Sequence, residues 1–231
     1  MIQLTQSAVV TNSGNLRRLS GEFAETGCAR LPGFLTPPIV KHLLAWLQTA
    51  RFEIKNEVHE GTVFGTTLFV PQRDKSISLL GFVLNRPALF EAVEQVARCT
   101  NLSGFLGRIH RTNAGADQHI DWHDDATDSR VVGITIHLSR EPYTGGLFQL
   151  RDSTGGIRSE IACGAPGDAF LFRIGSGWEH RLTPLESGAR TVAVGWFLTA
   201  QGVKLSPYVR LRIAGLARKH DIVDSDSNLI P

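Results

Sequence analysis

The chain has 231 residues, a length that suits one domain, or one domain with a helical extension. Apolar residues make up 42% of it, enough to bury a core. With 24 basic and 22 acidic side chains the formal net charge is +2, which gives no electrostatic case for a nucleic-acid partner or an anionic membrane surface.

In chain order, the N-terminal MIQLTQSAVVTNSGNLRR lacks a basic region followed by an apolar stretch, so no signal peptide is expected. Leu16, Leu19 and Phe23 lie at helical spacing within 16–26, and Gly27 can end that helix. GCARLPGFL reads as a short strand. Thr36 is a good N-cap, Pro37 and Pro38 suit a first turn, and Ile39, Val40, Leu43, Leu44 and Leu47 form an apolar stripe, which predicts a helix over about 37–49. Residues 61–70, rich in Thr, Val and Phe, predict a strand or hairpin. Asn85 and Pro87 open a further helix with Leu89, Phe90, Val93, Val96 and Ala97 on one side, ending near Thr100.

From 103 onward short β-rich runs alternate with Gly, Pro, Asp and Ser. The expected strands are 104–112, 118–123, 130–139, 146–152, 157–163, 167–174, 177–185 and 190–199. Close-spaced short strands indicate a sandwich or barrel rather than a parallel α/β sheet, with the two N-terminal helices packed on one sheet face. The tail carries Lys204, Arg210, Arg212, Arg218 and Lys219 and reads as a solvated helix or loose segment. Cys28, Cys99 and Cys163 are far apart and form no CxxC pair, so free thiols in a reducing cytosol are expected. No apolar run approaches the roughly 20 residues needed to cross a bilayer, so a cytoplasmic protein without a membrane partner is expected.

The densest cluster of ligand-type side chains is DQHIDWHDD. In a strand residues i and i+2 point the same way, so His123 and Asp125 offer an imidazole and a carboxylate to one side if the strand persists that far. His119 and Asp121 form a rival pair of the same parity; otherwise His119 is a pocket residue. His180, in the β-type run GSGWEHRL, is the natural third ligand. Two histidines and one carboxylate on one face of a metal leave adjacent positions open, the signature of non-haem Fe(II) oxygenases. Arg190 opens a strand ten residues after His180, and the short LESGAR turn would let that strand run beside the one bearing His180. Its planar fork suits a carboxylate.

In order, Trp122-His123-Asp124-Asp125, Leu138-Ser139, Gly145-Gly146, Gly167-Asp168-Ala169-Phe170-Leu171-Phe172, His180 and Gly188-Ala189-Arg190 resemble the motifs of the 2-oxoglutarate/Fe(II) dioxygenase superfamily, on its prolyl-hydroxylase-like side. The resemblance covers about 118–199. It implies a mainly β fold with flanking α-helices, a double-stranded β-helix or cupin-like jelly roll. It also implies one oxygenase domain over 1–231, with 1–102 as a helical and strand support, 103–200 as the core and 201–231 as a tail. By the same resemblance His123, Asp125 and His180 bind Fe(II), and Arg190 binds the distal carboxylate of 2-oxoglutarate. The implied activity is O2-dependent hydroxylation of an unactivated C–H bond in a small molecule, amino acid or peptide, with release of succinate and CO2 and with ascorbate as a candidate reductant.

Two positions depart from the pattern. Many relatives carry a tyrosine on the strand before HxD that contacts the co-substrate, where this chain has Arg108, His110 and Arg111. Some carry Ser two residues after the arginine, where this chain has Val192. Asp125 in the acid position argues against halogenation. His119, Trp122, Trp178 and Trp196 are expected at the substrate pocket, although each tryptophan is equally a core residue. The 61–80 segment and loop 153–156 are candidate lids. The other readings are a jelly-roll oxygenase that does not use 2-oxoglutarate, and a non-catalytic binding module on the same fold.

Overall fold

In the computed structural model the described residues are 1–59, 61–116, 118–127, 129–162, 164–199 and the strand at 222–224. The basic residues of the expected tail, and Cys163, lie outside them; Cys28 and Cys99 are free thiols. The elements run β1 (Gln3–Leu4), β2 (Val9–Thr11), α1 (Ser13–Thr26), β3 (Cys28–Leu31), α2 (Pro37–Leu47), β4 (Glu53–His59), β5 (Thr62–Phe69), α3 (Lys75–Leu84), α4 (Pro87–Ala97) and β6 (Leu102–Asn113). There follow β7 (Ile120–His123), β8 (Arg130–His137), β9 (Thr144–Gly145), β10 (Phe148–Arg151), β11 (Ile157–Ile161), β12 (Ala169–Arg173), β13 (Glu179–Leu182), β14 (Leu185–Ser187), β15 (Ala189–Thr199) and β16 (Ile222–Asp224). Among the described residues no single helix is long and apolar enough to cross a membrane.

The glycine and proline signals act as the sequence predicts, whereas Thr36 stands at the N-cap of α2 without a side-chain cap bond, and Asn85, expected to open α4, ends α3 with its amide donating to the Gly81 carbonyl while Arg86 is the N-cap of α4. Gly27 takes the left-handed conformation (φ 76°) that closes α1, and Pro37 and Pro38 start α2. One helix was not foreseen. Residues 75–84 fall partly in the segment read as a lid, but Asp74 caps them by accepting from the Ser76 N–H at 2.8 Å. Leu80, Val83 and Leu84 then bury in the core.

One large antiparallel sheet of 11 strands carries the molecule, in the order β11-β10-β13-β7-β5-β6-β15-β8-β12-β3, with β4 attached to β5. It curls into a nearly closed barrel, the jelly roll. Period-two alternation divides its faces. On β8, Val132, Ile134 and Ile136 join the main core; on β15, Ala193 and Phe197 do the same, and on β6, Ile109. Their neighbours Thr135, Arg190, Val192, Val194, Trp196, Arg108, His110 and Thr112 line the interior. The helices supply the other side of the core, Leu16 and Leu19 from α1 and Leu89, Phe90 and Val93 from α4.

The expected pairing of the Arg190 and His180 strands is not formed. β15 pairs with β6 and β8, whereas β13 pairs with β10 and β7. The LESGAR segment instead forms β14, which pairs with β9. The chain thus crosses from one wall of the barrel to the other at this turn, and Arg190 and His180 reach the same interior from different walls.

Phe197 is fully buried, with ring centroids 6.1 Å from Phe90 on α4 and 5.3 Å from Phe105 on β6. Phe197→Ala is expected to destabilise the fold by about 3–5 kcal/mol, read from the midpoint and slope of urea unfolding.

Candidate metal centre

β7 and β13 pair so that His123 and His180 are directly opposite. Cross-strand partners share a face, and the two imidazole centroids lie 4.2 Å apart. β7 ends at His123, so the expected strand alternation does not carry Asp125. A turn does: Asp124 Oδ1 accepts from the Ala126 N–H at 3.1 Å and bends the chain inward. Asp125 Oδ2 then lies 3.4 Å from His180 Nε2. The ligand atoms of His123, Asp125 and His180 all fall within 4.8 Å of one another.

The neighbours fix this geometry. Trp196 Nε1–H donates to Asp125 Oδ2 at 2.7 Å, and Arg130 Nη1–H donates to Oδ1 at 3.2 Å. Arg130 itself stacks on the Trp196 ring at 3.8 Å. His123 Nδ1 lies 2.8 Å from the Asp121 carbonyl, which assigns its proton to Nδ1 and leaves Nε2 as the donor atom for a metal. Phe64 stacks on His123 at 4.2 Å, and Phe148 and Phe172 flank His180.

Burial, helped by the neighbouring His180, pulls the His123 pKa down to about 4, so the ring is neutral near pH 7. Burial would raise the Asp125 pKa. The hydrogen bond and charge of His180, then His123 and the Trp196 bond, outweigh it and hold the carboxyl below its ordinary range. Two imidazoles and an ionised carboxylate converging from one side fit a divalent first-row ion such as Fe(II).

Beside the triad lies a small cavity of about 60 Å³. Arg190 is buried and lines it, as do Thr112, Thr135, Phe148, Leu182 and Val192. The Gly145-Gly146 turn gives Arg190 its place. Both glycines have positive φ, and a Cβ on Gly146 would stand 2.7 Å from Leu185 Cδ1 and 3.4 Å from Arg190 Cδ. His110 is wholly buried and held neutral by burial and by Arg108, Arg190 and Lys55. The cationic side chains at this wall suit an anionic ligand.

The remaining expected residues separate. His119 and Asp121 pair with each other at 3.8 Å, 40% and 74% exposed, away from the cavity lining. The same parity does not bring them to the site, because the β7–β13 register shifts between His123, opposite His180, and Ile120, opposite Leu182, so that Ile120 and His123 both line the cavity while Asp121 between them does not. Trp122 also stays outside, stacked on Arg151 (4.2 Å) and Arg181 (4.7 Å). Trp178 packs in the second core with Phe148, Phe170 and Phe172. Trp196 lines the cavity. Loop 153–156 borders a separate depression beside Asp124 and Glu179. Glu57 and Phe64, both at the cavity, were missed; neither has a sequence signal that sets it apart from an ordinary strand residue.

A jelly roll whose interior gathers two histidines and an aspartate defines the class of non-haem iron oxygenases. Residues 107–198 match the model of the 2OG-Fe(II) oxygenase superfamily. Solved structures agree on the fold. A Pseudomonas putida prolyl-4-hydroxylase is 19% identical with a TM-score of 0.60, over 80% of this chain and 98% of that one. A Trichoplax adhaerens prolyl hydroxylase, solved with a hypoxia inducible factor peptide fragment, is 13% identical with a TM-score of 0.56, over 81% and 94%. The α-ketoglutarate-dependent epimerase SnoN from nogalamycin biosynthesis is 13% identical with a TM-score of 0.59, over 82% and 84%. No curated protein sequence matches the chain.

Two outcomes follow. Trp196→Phe removes the indole N–H that orients Asp125 and is expected to weaken Mn(II) binding about ten- to a hundredfold by calorimetry, whereas His119→Ala leaves it unchanged. His137, like His123, is held near 4 by burial, against an unfolded value of 6.5. The unfolded state therefore takes up the protons between these values. Metal-free protein is expected to keep full stability above about pH 6.5 and to lose on the order of a few kcal/mol by about pH 4, measured by urea unfolding across that range.

Proposed function

We propose that the chain is an Fe(II)- and 2-oxoglutarate-dependent dioxygenase that hydroxylates an unactivated C–H bond of a small molecule, amino acid or peptide. The observation that carries this reading is the convergence of His123, Asp125 and His180 within 4.8 Å beside a cavity that also contains the buried Arg190. The superfamily match over 107–198 supports it. The chain is read as a single cytoplasmic oxygenase domain, with 1–102 bracing the barrel.

In this reading His123 Nε2, Asp125 and His180 would hold the metal. Iron bound there would supply O2 activation coupled to oxidative decarboxylation of 2-oxoglutarate to succinate and CO2, with one oxygen atom passing to the substrate. Arg190 receives the distal carboxylate of the co-substrate, where burial strengthens the charge-assisted bonds. Phe148, Leu182 and Val192 keep water from that end of the cavity. Trp196 and Arg130 hold Asp125 in its ligating position. Ascorbate would serve as an external reductant.

SnoN, an epimerase, shares the fold, so the reaction outcome needs its own readout. Purified protein with Fe(II) is expected to release succinate from 2-oxoglutarate, with a substrate that gains one oxygen by mass spectrometry. A substrate that is turned over without a mass change would replace hydroxylation by isomerisation. Arg190→Ala is expected to weaken 2-oxoglutarate binding roughly ten- to a hundredfold, read by calorimetry with Mn(II) in place of iron.

A further inference from the structure

The cavity holds a second guanidinium that the proposed function leaves unused. Arg190 faces Thr112 across β15 and β6, and Arg108 faces Val194. The two arginines are thus four residues apart along one face, roughly 13 Å at about 3.3 Å per residue. Arg108 belongs to the Asp125 end. Its guanidinium lies 4.9 Å over Trp196, whose indole binds Asp125, and 5.1 Å over Phe69. Its Nη2 is 3.2 Å from Glu57 Oε1.

Glu57 reaches the cavity from the β4–β5 hairpin and is itself buried. The two are an ion pair without a hydrogen bond. Glu57 Oε1 and Arg108 Nε are both buried and have no hydrogen-bond partner among the described residues, and Nε shares an edge of the fork with Nη2. A carboxylate placed on that edge would complete a bidentate contact.

We propose that Arg108 and Glu57 form the substrate-recognition pair and that the substrate is a free α-amino acid, with its carboxylate on Arg108 and its ammonium on Glu57. This assignment rests on the oxygenase reading and deepens it. The argument is one of charge balance. A simple anion entering this end would leave the buried Glu57 carboxylate uncompensated, and a simple cation would do the same to Arg108. A zwitterion exchanges one internal pair for two external ones and brings no net charge into the cavity. A residue inside a peptide has neither charge and gains nothing from the pair. The side chain of such a ligand would lie between Trp196 and Phe64, beside the triad.

The experiment has two arms. In the first, Fe(II)-loaded enzyme is given a panel of free α-amino acids, each with its N-acetyl and carboxamide forms and an internal-peptide form, and stimulated succinate release is read with the mass gain. In the second, wild type and the double variant Arg108→Gln/Glu57→Gln, which leaves no unpaired buried charge, are titrated with 2-oxoglutarate in the presence of Mn(II), and their KM for the stimulating amino acid is compared. Thermal unfolding checks that the variant folds. The expected result is stimulation by a free amino acid, its loss on blocking either end, and a KM about ten- to a hundredfold higher in the double variant with 2-oxoglutarate binding unchanged.

Stimulation by blocked or peptide forms equal to the free one overturns the assignment. So does a double variant that weakens 2-oxoglutarate instead, which would make Arg108 a co-substrate ligand. Intact metal-dependent 2-oxoglutarate binding with no response to any amino acid overturns this subsite and leaves the oxygenase reading standing. Absence of that binding overturns both.

Discussion

Asp125 is a carboxylate removed from water at a point where the strand that leads to it has ended. Its charge survives there because an indole N–H at 2.7 Å, a guanidinium at 3.2 Å and the His180 imidazole at 3.4 Å surround it. Each of these comes from a different element: β15, β8 and β13. The position of one carboxylate therefore depends on the closure of the whole barrel. Once it is fixed, the rest follows from strand register, since the cross-strand pair of His123 and His180 already faces the interior.

The two faces of the major wall divide labour by parity. One row of β6, β8 and β15 joins the helices in an apolar core, and the alternate row presents Arg108, His110, Thr112, Thr135, Arg190 and Trp196 to the cavity. A single-residue slip in any of these strands would exchange the two sets, placing guanidinium groups against Phe90 and Val93. The apolar face is thus what fixes the polar one, and the long β15–β6 ladder, from Ala189 paired with Asn113 to Thr199 paired with Leu102, is the ruler that spaces the two arginines.

Much of this was legible in the sequence, and the failures have physical causes. Glycine and proline signals and apolar spacing located α1, α2 and α4, because Gly27, Pro37-Pro38 and Pro87 act locally. The helix α3 escaped, although Asp74 caps it, because the strand signal covers only 61–70 and the residues beyond it enter the sequence reading only as part of a candidate lid. The ligand types and Arg190 were legible as a pattern, but the reasons offered for them were incomplete. Parity could not separate His123-Asp125 from His119-Asp121, since the deciding events are a register shift in the β7–β13 ladder, which removes Asp121 from the cavity side, and the turn at Asp124, held by the Ala126 amide, which brings Asp125 in. The partner strands of β15 were misjudged because the turn at Leu185–Ser187 pairs with β9 and carries the chain across the barrel. Glu57 became meaningful only when the fold set it against a cation more than fifty residues distant in the chain.

The β4–β5 ribbon occupies a peculiar place in this arrangement. Among the described residues β4 pairs with β5 alone, whereas β5 stands inside the main sheet, paired with β7 through Gly65 and Ile120 and with β6 through Leu68 and Phe69. The ribbon supplies Phe64 over an imidazole and Glu57 against Arg108. One strand of the ribbon is therefore structural cement, since β5 joins the wall bearing His123 to the wall bearing Arg108, while β4 hangs on its outer part. Changes of composition along β4 would redraw what the cavity accepts at the Glu57 end while leaving β5 to hold the two walls together, a division under which descendants of such a chain could diversify their chemistry through one outer strand.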